Sequence, residues 1–339
     1  MDKILVVQTA FIGDAVLTLP MIQKLKDKHP QSEIDVLAIP ETAEIFSASP
    51  FVGRVIQMDK KGRHKSFFQM LKFVREIKKN EYNFIYSPHR SLRTSLIVMM
   101  LGVRETAGFN NSSLKHVYKT LIDYKTGVHE VQRNLDLINY NYSDDSWRII
   151  PALNIPDAAK EKLADFFKSN NLKGKLAAVA PGSVWETKRY PPEYFEGVIR
   201  YLLSRRYSVI LIGSEKEKAL CENIAGKFSD GVLTSAGVFT ILETVELLKR
   251  AEILISNDSA PAHFGMCADI PVLTIYCSTI PEFGFYPFNK KSTYVSLEGL
   301  SCKPCGIHGH NQCPVKNFAC GMNLKPEYVI SKIREMIND

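Results

Sequence analysis

Short apolar runs alternate along the chain with longer segments in which apolar residues recur every three or four positions. The short runs predict buried strands, and the periodic segments predict amphipathic helices. In the first half the predicted strands are KILVVQ, IDVLAI, RVIQM and NFIYSP. The predicted helices between them are AVLTLPMIQKLKDKH, a short segment from Glu41, and KSFFQMLKFVREIKKN. We expect Pro20 to kink or restart the first helix.

The second half repeats this alternation. Its predicted strands are KLAAVAPGS, YSVILIGS, AEILISND and PVLTIYCS, and its predicted helices are PPEYFEGVIRYLLSRR, EKEKALCENIAGKF and TILETVELLKRA. Nearly continuous apolar runs are typical of parallel strands that are covered on both faces. Each of these strands ends in Gly, Ser, Asn or Asp, and ligands of open α/β sheets bind at the carboxyl ends of the strands.

The two halves predict an α/β protein with two Rossmann-like domains. Residues 141–160 break both periodicities and carry two prolines, which is typical of a linker. The predicted boundaries are 1–155 for the N-terminal domain and 156–324 for the C-terminal domain. Residues 325–339 are predicted to form a last helix that packs on either domain.

Composition agrees with a soluble globular protein, because 45% of the 339 residues are hydrophobic and 23% are charged. The net charge of +7 permits attraction to phosphates, acidic sugars or an anionic membrane face. The N-terminus does not read as a signal peptide, since Gly13 and Asp14 interrupt its apolar run. The apolar stretch SLIVMMLGV is about half the ~20 residues that a membrane span needs. We therefore expect a cytoplasmic protein, with peripheral membrane association an open alternative.

The seven cysteines do not predict a disulfide framework in the absence of an export signal. Four of them cluster near the end of the chain: Cys302, Cys305, Cys313 and Cys320. A C-x2-C pair followed by two more cysteines has the character of a zinc site, although its spacing is shorter than in common structural sites. Reduced structural thiols are the favoured interpretation, and zinc stays an alternative.

Asp14 follows the first predicted strand and stands among apolar residues. On the residues alone, the favoured interpretation is that Asp14 caps the following helix. The functional alternative is a general base, because apolar neighbours such as Phe11, Ile12 and Val16 would raise its pKa toward neutrality.

Two more stretches carry candidate chemistry in the second half. Lys188 and Arg189 follow a strand end, where a solvated basic pair is the ordinary interpretation. Asp258 or Ser259 can cap the helix after the strand that ends at Ser256, and the free backbone N–H groups of such a helix end bind phosphate. His263, taken alone, is expected to pack against the sheet.

Two α/β halves with facing loops suggest either a GT-B glycosyltransferase or a two-lobed binding protein. Four motifs decide between them: FIGDAVLTLP, APGSVWETKRYPPEYF, ISNDSAPAHFGMCADIPVLTIYCST and PEFGFYP. In their order and spacing they resemble those of the glycosyltransferase family 9 heptosyltransferases, of the heptosyltransferase II type. The resemblance runs over nearly the whole chain and implies a GT-B fold, in which two Rossmann-like domains face a central cleft. The chain departs from the family pattern at Tyr190, Ala260 and Cys277, none of which removes a charged group.

The resemblance also assigns roles to residues of the predicted donor and base sites. It implies that Asp14 is the catalytic base and that Lys188 contacts the diphosphate of the sugar nucleotide. Asp258, Ser259 and Ala260 would hold the donor, with His263 beside them. It further implies that a glutamate, Glu217 or its neighbour Glu215, binds the ribose and that Phe239 lines the adenine pocket; helix-stabilising roles for the two glutamates stay open.

The predicted acceptor side is basic. Residues 60–79 carry eight Lys or Arg side chains and one Glu, together with an apolar stripe that is more often core than membrane anchor. Such a helix would suit the anionic bilayer surface where lipid A lies. Arg90 and Arg93 are candidates to pair with an acceptor carboxylate or phosphate, and helix-surface arginines are an equally good interpretation.

The family resemblance implies an inverting, metal-independent glycosyltransferase that moves heptose from ADP-heptose to the inner core of lipopolysaccharide. The acceptor would be a Kdo- or heptose-terminated lipid A, and no cofactor, metal or nucleic acid is expected. The chain contains no Asp-x-Asp, which argues against the divalent-metal site of the other major glycosyltransferase fold. The alternatives are a sugar-nucleotide 2-epimerase of the same fold and a family 9 transferase with another donor.

Overall fold

The computed structural model describes residues 2–170, 172 and 174–337 of the chain. These residues divide into two compact units, and the boundary lies between Asn154 and Ile155. Each unit is an α/β layer structure with its own sheet and its own apolar core.

The N-terminal unit holds six strands and five α-helices among its described residues. The strands are β1 (Lys3–Gln8), β2 (Glu33–Ala38), β3 (Arg54–Gln57), β4 (Phe84–Ser87), β5 (Glu105–Phe109) and β6 (Thr120–Ile122). The helices are α1 (Ile12–Lys28), α2 (Pro40–Ser47), α3 (Phe67–Lys78), α4 (Leu92–Leu101) and α5 (Glu130–Leu137). A 3-10 turn, Lys115–Val117, precedes β6.

All strand pairs of this sheet are parallel, in the order β3-β2-β1-β4-β5-β6. This is the Rossmann order, in which the chain reverses its direction of winding between the first and fourth strands. The loops that leave β1 and β4 therefore diverge at that point and leave room for a ligand. Asp14 follows β1, and Arg90 follows β4.

The C-terminal unit repeats this plan. Its strands are β7 (Lys175–Ala180), β8 (Tyr207–Leu211), β9 (Val232–Thr234), β10 (Ile253–Asn257), β11 (Val272–Tyr276) and β12 (Thr293–Ser296). Its helices are α6 (Asp157–Ser169), α7 (Pro192–Ser204), α8 (Lys218–Ala225), α9 (Ile241–Leu248), α10 (Ala260–Cys267), α11 (Ala319–Met322) and α12 (Pro326–Ile337).

The second sheet is again parallel, in the order β12-β11-β10-β7-β8-β9. Counted from β7, this is the same order as in the first sheet, so the point of divergence lies between β7 and β10. The loop after β7 carries Lys188, and the loop after β10 carries Asp258. Strand burial explains the predicted pattern, because every residue of β10 is buried.

Three features differ from the sequence-based expectations. Helix α1 runs without interruption from Ile12 to Lys28 with Pro20 inside it, so the expected restart at Pro20 is wrong. The predicted linker 141–160 ends earlier, since α6 begins at Asp157. Four short strands, β5, β6, β9 and β12, were not predicted, because runs of three to five residues carry too little periodicity.

The predicted apolar stripe of α3, which comprises Phe67, Phe68, Leu71 and Val74, is only partly the buried one. Met70, Val74 and Ile77 are the buried side chains of α3, whereas Phe67 is 59% and Phe68 is 82% exposed. The first turn of this helix therefore presents two aromatic rings to solvent. No helix in the described part of the chain combines the length and apolar character that crossing a lipid bilayer requires.

The last helix, α12, belongs to the C-terminal unit. It packs against α7 and the strands β11 and β12, with Val329 and Ile333 buried in the core of that unit. Its final predicted residues, 338 and 339, lie outside the described residues.

Candidate active site

Asp14 lies in the first turn of α1, at the carboxyl edge of β1. The helix begins at Ile12, so Asp14 is its third residue and does not occupy the N-cap position predicted from the sequence. Its carboxylate reaches back and accepts a hydrogen bond from the N–H of Phe11, at 3.2 Å. This contact satisfies one of the free N–H groups of the helix end, which is the structural part of the role of Asp14.

The carboxyl group of Asp14 is poised to exchange a proton near neutral pH. Its pKa is raised to about 7, mainly by burial and to a smaller extent by the negative charge of Glu130. The hydrogen bond from Phe11 and the positive charge of Arg90 act in the opposite direction. A carboxyl group with a pKa near the working pH suits general-base catalysis.

Cations and a neutral histidine surround the same edge of the sheet. Lys60 Nζ donates to the carbonyl of Thr9 at 2.9 Å, and Arg93 Nη1 donates to the carbonyl of Lys60 at 3.2 Å. His89 Nδ1 lies 2.8 Å from Thr9 Oγ1 and 2.9 Å from Thr94 Oγ1. Burial, aided by the charge of Lys60, lowers the pKa of His89 to about 4, so this ring is neutral at physiological pH.

Arg90 belongs to an aromatic and ionic cluster. Its guanidinium lies 3.9 Å from the centre of the Tyr124 ring, and the guanidinium of Arg133 lies 4.5 Å from the same ring. The hydroxyl of Tyr124 donates to Glu130 Oε2 at 3.0 Å, and Arg133 Nη1 pairs with Glu130 Oε2 at 2.8 Å. Arg90 and Arg93 are both partly buried, which does not favour the interpretation as plain surface arginines.

The C-terminal unit brings Lys188 and Asp258 together. Lys188 Nζ lies 2.7 Å from Asp258 Oδ2, and both side chains are largely buried. The same carboxylate oxygen accepts a hydrogen bond from Thr279 Oγ1 at 2.7 Å. Lys188 is therefore a largely buried cation paired with a carboxylate, and the interpretation as a solvated basic pair does not describe it.

The helix end beside this pair is held by the preceding strand. Asn257 Nδ2 donates to the carbonyl of Pro181 at 2.8 Å, and Asn257 Oδ1 accepts from the N–H of Tyr190 at 3.0 Å. Ser259 stands at the N-cap of α10 without a capping hydrogen bond from its side chain, and Ala260 is the first residue of the helix. Pro261 has no N–H, and the N–H of Ala262 donates to the carbonyl of Ser259 at 3.1 Å, so the N–H groups of Ser259 and Ala260 are the ones that this turn offers to an anion.

His263 lies one turn further along α10 and is 5% exposed. Its Nδ1 is buried without a hydrogen-bond partner. Burial lowers the pKa of His263 to about 4, against the opposing effect of the nearby Asp258 carboxylate. The ring is thus neutral, and it lies close enough to Lys188 and Asp258 for both charges to affect its pKa.

A loop of the cysteine-rich segment supports the turn that carries Lys188. The N–H of Thr187 donates to the carbonyl of His310 at 3.0 Å, and the N–H of His310 donates to Thr187 Oγ1 at 2.8 Å. Ser278 Oγ also donates to Thr187 Oγ1, at 3.0 Å. Thr187 is buried by these contacts, so the position of its neighbour Lys188 depends on the loop.

The four clustered cysteines lie along this segment as free thiols. The other three cysteines of the chain lie elsewhere and are also free thiols. Cys320 is buried, and Cys302, Cys305 and Cys313 are partly buried. Among the described residues, no group of His, Cys, Asp or Glu side chains is arranged to hold a metal ion.

The two remaining donor candidates lie at other strand ends of the C-terminal unit. Glu217 accepts hydrogen bonds from the N–H and Oγ of Ser214, both at 2.8 Å, which is the helix-stabilising role left open above. Its carboxylate also lies so close to Gly182, after β7, that a Cβ on that glycine would clash with it. Phe239 packs edge-on against Phe166 of α6, with ring centres 5.0 Å apart.

Several site residues were missed by the sequence analysis. Thr9, His89 and Thr279 each follow the end of a buried strand, so a systematic list of polar residues after strands would have included them. Glu130 carries no such signal. It reaches the site only because α5 packs beside α1.

Most of the chain matches a known protein family. Residues 70–317 match the sequence model of the family described as Glycosyltransferase family 9 (heptosyltransferase). The chain belongs to glycosyltransferase family 9. The resemblance inferred from the four motifs is thereby confirmed, and this family 9 protein is a glycosyltransferase.

Relatives of the family 9 protein match it over most of their length. The lipooligosaccharide heptosyltransferase 2 of Haemophilus influenzae is 24% identical over 360 residues, which cover 99% of each chain. The lipopolysaccharide heptosyltransferase 3 of Escherichia coli is 25% identical over 286 residues, or 79% of this chain and 82% of that one. The solved structure of E. coli ADP-heptose lps heptosyltransferase II superposes with a TM-score of 0.78 at 19% identity, covering 99% and 98% of the two chains. The predicted α/β, GT-B fold class is confirmed by this likeness.

Proposed function

We propose that this family 9 protein is an inverting heptosyltransferase that transfers heptose from ADP-heptose to an inner-core acceptor of lipopolysaccharide. The observation that carries the proposal is the carboxyl group of Asp14, whose pKa is raised to about 7 at the point of divergence of the first sheet. The names of the relatives support the donor and acceptor classes. The family match favours transfer over the 2-epimerase alternative.

In the proposed step, Asp14 takes the proton of an acceptor hydroxyl while the hydroxyl oxygen attacks the anomeric carbon of the heptose. The bond between that carbon and the β-phosphate oxygen breaks, and ADP leaves with the electron pair. Attack from the face opposite ADP inverts the anomeric configuration. The family resemblance supports the role of Asp14, and its raised pKa makes it a competent base at neutral pH.

On the donor side, Lys188 would stabilise the diphosphate as negative charge builds on the leaving oxygen. A cation about 4 Å from that charge contributes ~4 kcal/mol at an effective dielectric constant near 20. Because Lys188 and Asp258 form a close pair, the arriving diphosphate would share the ammonium with the carboxylate. The carboxylate of Asp258 would then accept hydrogen bonds from the sugar hydroxyls.

The first turn of α10 would complete the donor site. The N–H groups of Ser259 and Ala260 would bind a phosphate oxygen, and His263 would lie near them as a neutral ring. Glu217, against Gly182 at the end of β7, would bind the ribose hydroxyls. Phe239 would contact the adenine.

On the acceptor side, Arg90 and Arg93 would pair with the carboxylate of a Kdo sugar or with a lipid A phosphate. Both lie near the loop after β4, and Lys60 adds a third positive charge at the same edge. Three cations at one strand edge suit an acidic saccharide better than a neutral one.

We further propose that the protein works at the cytoplasmic face of the membrane, with the first turn of α3 as its contact. The exposed rings of Phe67 and Phe68 stand on a helix whose exposed cations are Lys72, Arg75 and Lys78, and the exposed Arg63 and Lys65 lie just before it. Aromatic rings with flanking basic side chains suit the interface of an anionic bilayer.

The transfer proposal is tested by incubating the purified protein with ADP-heptose and heptose-free or truncated lipopolysaccharide, with ADP-, UDP- and GDP-hexoses as competitors. We expect ADP release only when ADP-heptose and an acceptor are both present, at a rate that EDTA does not change. Lys188→Ala should lower the rate by about 10²-fold or more and weaken ADP-heptose binding in calorimetry. ADP-heptose consumed without acceptor, or transfer only from another nucleotide sugar, would contradict the proposal.

The membrane proposal is tested by co-sedimentation with vesicles of anionic or of zwitterionic lipid. We expect binding to anionic vesicles, and a loss of about tenfold or more when Phe67 and Phe68 are both replaced by Ser. Tyr328→Ser, which removes an equally exposed ring from the C-terminal unit, is the matched control and should bind as the wild type does. Equal binding by the double variant would rule out this contact surface.

A further inference from the structure

Helices α1 and α5 of the N-terminal unit begin side by side. Asn134 Nδ2 on α5 donates to the carbonyl of Leu17 on α1, at 3.0 Å. Leu17 comes one turn after Asp14, and Asn134 comes one turn after Glu130. The first turns of the two helices therefore bring the carboxylates of Asp14 and Glu130 near each other.

Glu130 is held in an environment that is unusual for a carboxylate. It is 7% exposed and pairs with Arg133, which is 2% exposed. Tyr124 donates a second hydrogen bond to it, and Arg133 Nε is bound to the carbonyl of Lys125 at 2.7 Å. Taking both charges out of water costs several kcal/mol and gives little net stability. If this ion pair served only to stabilise the fold, apolar residues of similar size would do so equally well.

We propose that Glu130 is a positioning residue for Asp14, keeping a second negative charge near the carboxyl group that takes the acceptor proton. Arg133 and Tyr124 hold Glu130 in place and determine how much of its charge reaches Asp14. This inference rests on the proposed role of Asp14 as the base, and it adds a residue that does not touch the reacting atoms.

The physical argument is the repulsion between like charges. A carboxylate beside another carboxylate is harder to ionise, so its pKa rises. Glu130 is the charged group that raises the pKa of Asp14, in addition to burial, and Arg90 is the charged group that lowers it. Removing the charge of Glu130 leaves Arg90 and the N–H of Phe11 unopposed, so the pKa of Asp14 falls and Asp14 becomes a weaker base.

The test is the pH dependence of kcat/KM for transfer by Glu130→Gln. In the wild type we expect kcat/KM to rise with pH along a limb whose midpoint lies near pH 7, and then to level off. In Glu130→Gln the limb should move down by about one pH unit. The plateau should fall by about threefold because the base is weaker. A structural defect alone would lower the rate equally at every pH.

Three further variants make the test specific. Glu130→Asp keeps the charge and should keep the limb near its wild-type position. Asp136→Asn removes another paired carboxylate from the same helix, one that contacts Lys125 and Tyr142, and should leave the limb unchanged. Arg133→Gln leaves the charge of Glu130 uncompensated and should move the limb to higher pH. This variant tests the proposal if Glu130→Gln does not fold.

A second readout does not depend on activity. Carbon-13 carboxyl titration of the full-length protein, with the Asp14 signal assigned from Asp14→Asn, should follow the same shifts. An unmoved Asp14 titration in Glu130→Gln, or in Arg133→Gln where only that variant folds, overturns the inference and leaves the proposed transferase function intact. Undiminished transfer by Asp14→Asn would instead overturn the role of Asp14 itself.

Discussion

At the scale of single residues, the carboxylate of Asp14 helps to begin a helix and is also the group that we propose as the catalytic base. It accepts the N–H of Phe11 and so helps to begin α1. Burial and Glu130 make its ionised form costly, which an ordinary helix-capping carboxylate does not experience. On the sequence, a capping role and a catalytic role were both open for this residue. In the structure Asp14 supports the helix end from the third helical position, and its proposed role as base uses the same side chain.

Replacing Asp14 with Asn tests this residue directly. Asparagine keeps the shape and can still accept the hydrogen bond from Phe11, but it cannot take a proton. We expect kcat to fall by about 10²–10⁴-fold. ADP-heptose affinity, measured by calorimetry, should stay within a factor of two, since donor binding is assigned to the other unit. Wild-type turnover by this variant would exclude Asp14 as the base.

For Lys188 and Asp258, the sequence indicated a donor-site role for each residue but not the contact between them. The motifs indicated that both belong to the donor site, and they assigned the two side chains to different parts of the donor. The structure pairs them at 2.7 Å and adds Thr279 to the carboxylate. Contacts across 70 residues of chain depend on how β7 and β10 pair, which the local pattern does not contain.

At the scale of elements, the cysteine-rich loop is closely fitted to the turn that carries Lys188. Gly309 has a positive φ of 79°, and a Cβ at this position would lie 3.0 Å from Thr187 Oγ1 and 3.2 Å from Lys188 Cγ. Both observations favour glycine, because it alone tolerates this backbone and this close approach. The loop therefore contributes to the position of Lys188 through its backbone.

Gly309→Ala should displace the Lys188 turn. We expect a several-fold weaker ADP-heptose affinity and a lower kcat, measured by calorimetry and by the transfer assay. The matched control is Gly306→Ala in the same loop, where φ is also positive at 106° but no atom lies within 4 Å of the added Cβ. Both variants carry backbone strain, and only Gly309→Ala adds the contact with Thr187 and Lys188. Equal donor affinity in the two variants would contradict this role of the loop.

At the scale of the whole molecule, the two units share one strand order and both place candidate residues at the same topological position. Asp14 follows the first strand of its sheet, and Lys188 and Asp258 follow the first and fourth strands of theirs. Parallel strands send all their carboxyl ends to one edge. Each sheet thus collects its polar loops at one edge, whatever the chemistry they carry.

The buried histidines predict how the stability of the molecule depends on pH. The pKa of His263 falls from its ordinary value to about 4 in the folded protein, because burial disfavours the charged ring. The unfolded chain therefore binds this proton more readily than the folded one. Stability from this group is fully present above pH 6.5 and is lost as the pH falls from 6.5 to 4, by about 3 kcal/mol.

His263→Gln should remove this dependence. We expect chemical unfolding of the C-terminal unit to show a smaller loss of stability between pH 7 and pH 4 than in the wild type. The exposed His116 offers a control, since His116→Gln should leave the dependence unchanged. A wild-type slope in His263→Gln would mean that its ring is not held neutral by burial.

The long elements and the order of motifs could be predicted from the sequence for a clear reason. β1, β7, β10 and the long helices carry enough periodic residues to specify their type locally. The exposed faces of α3 could not be assigned, because Phe67 and Phe68 fit an apolar stripe as well as Met70 and Val74 do. Which apolar residues are buried depends on the rotation of the helix against its neighbours.

The sequence by itself determined two α/β units, the family and the presence of Asp14, Lys188 and Asp258 at strand ends. These depend on local patterns of polarity and on the residues of short motifs. Only the tertiary structure decided that Glu130 lies beside Asp14, that Lys188 pairs with Asp258 and that Gly309 lies against the Lys188 turn. Such contacts join residues far apart in the chain, and their charges and distances arise only when helices and strands pack.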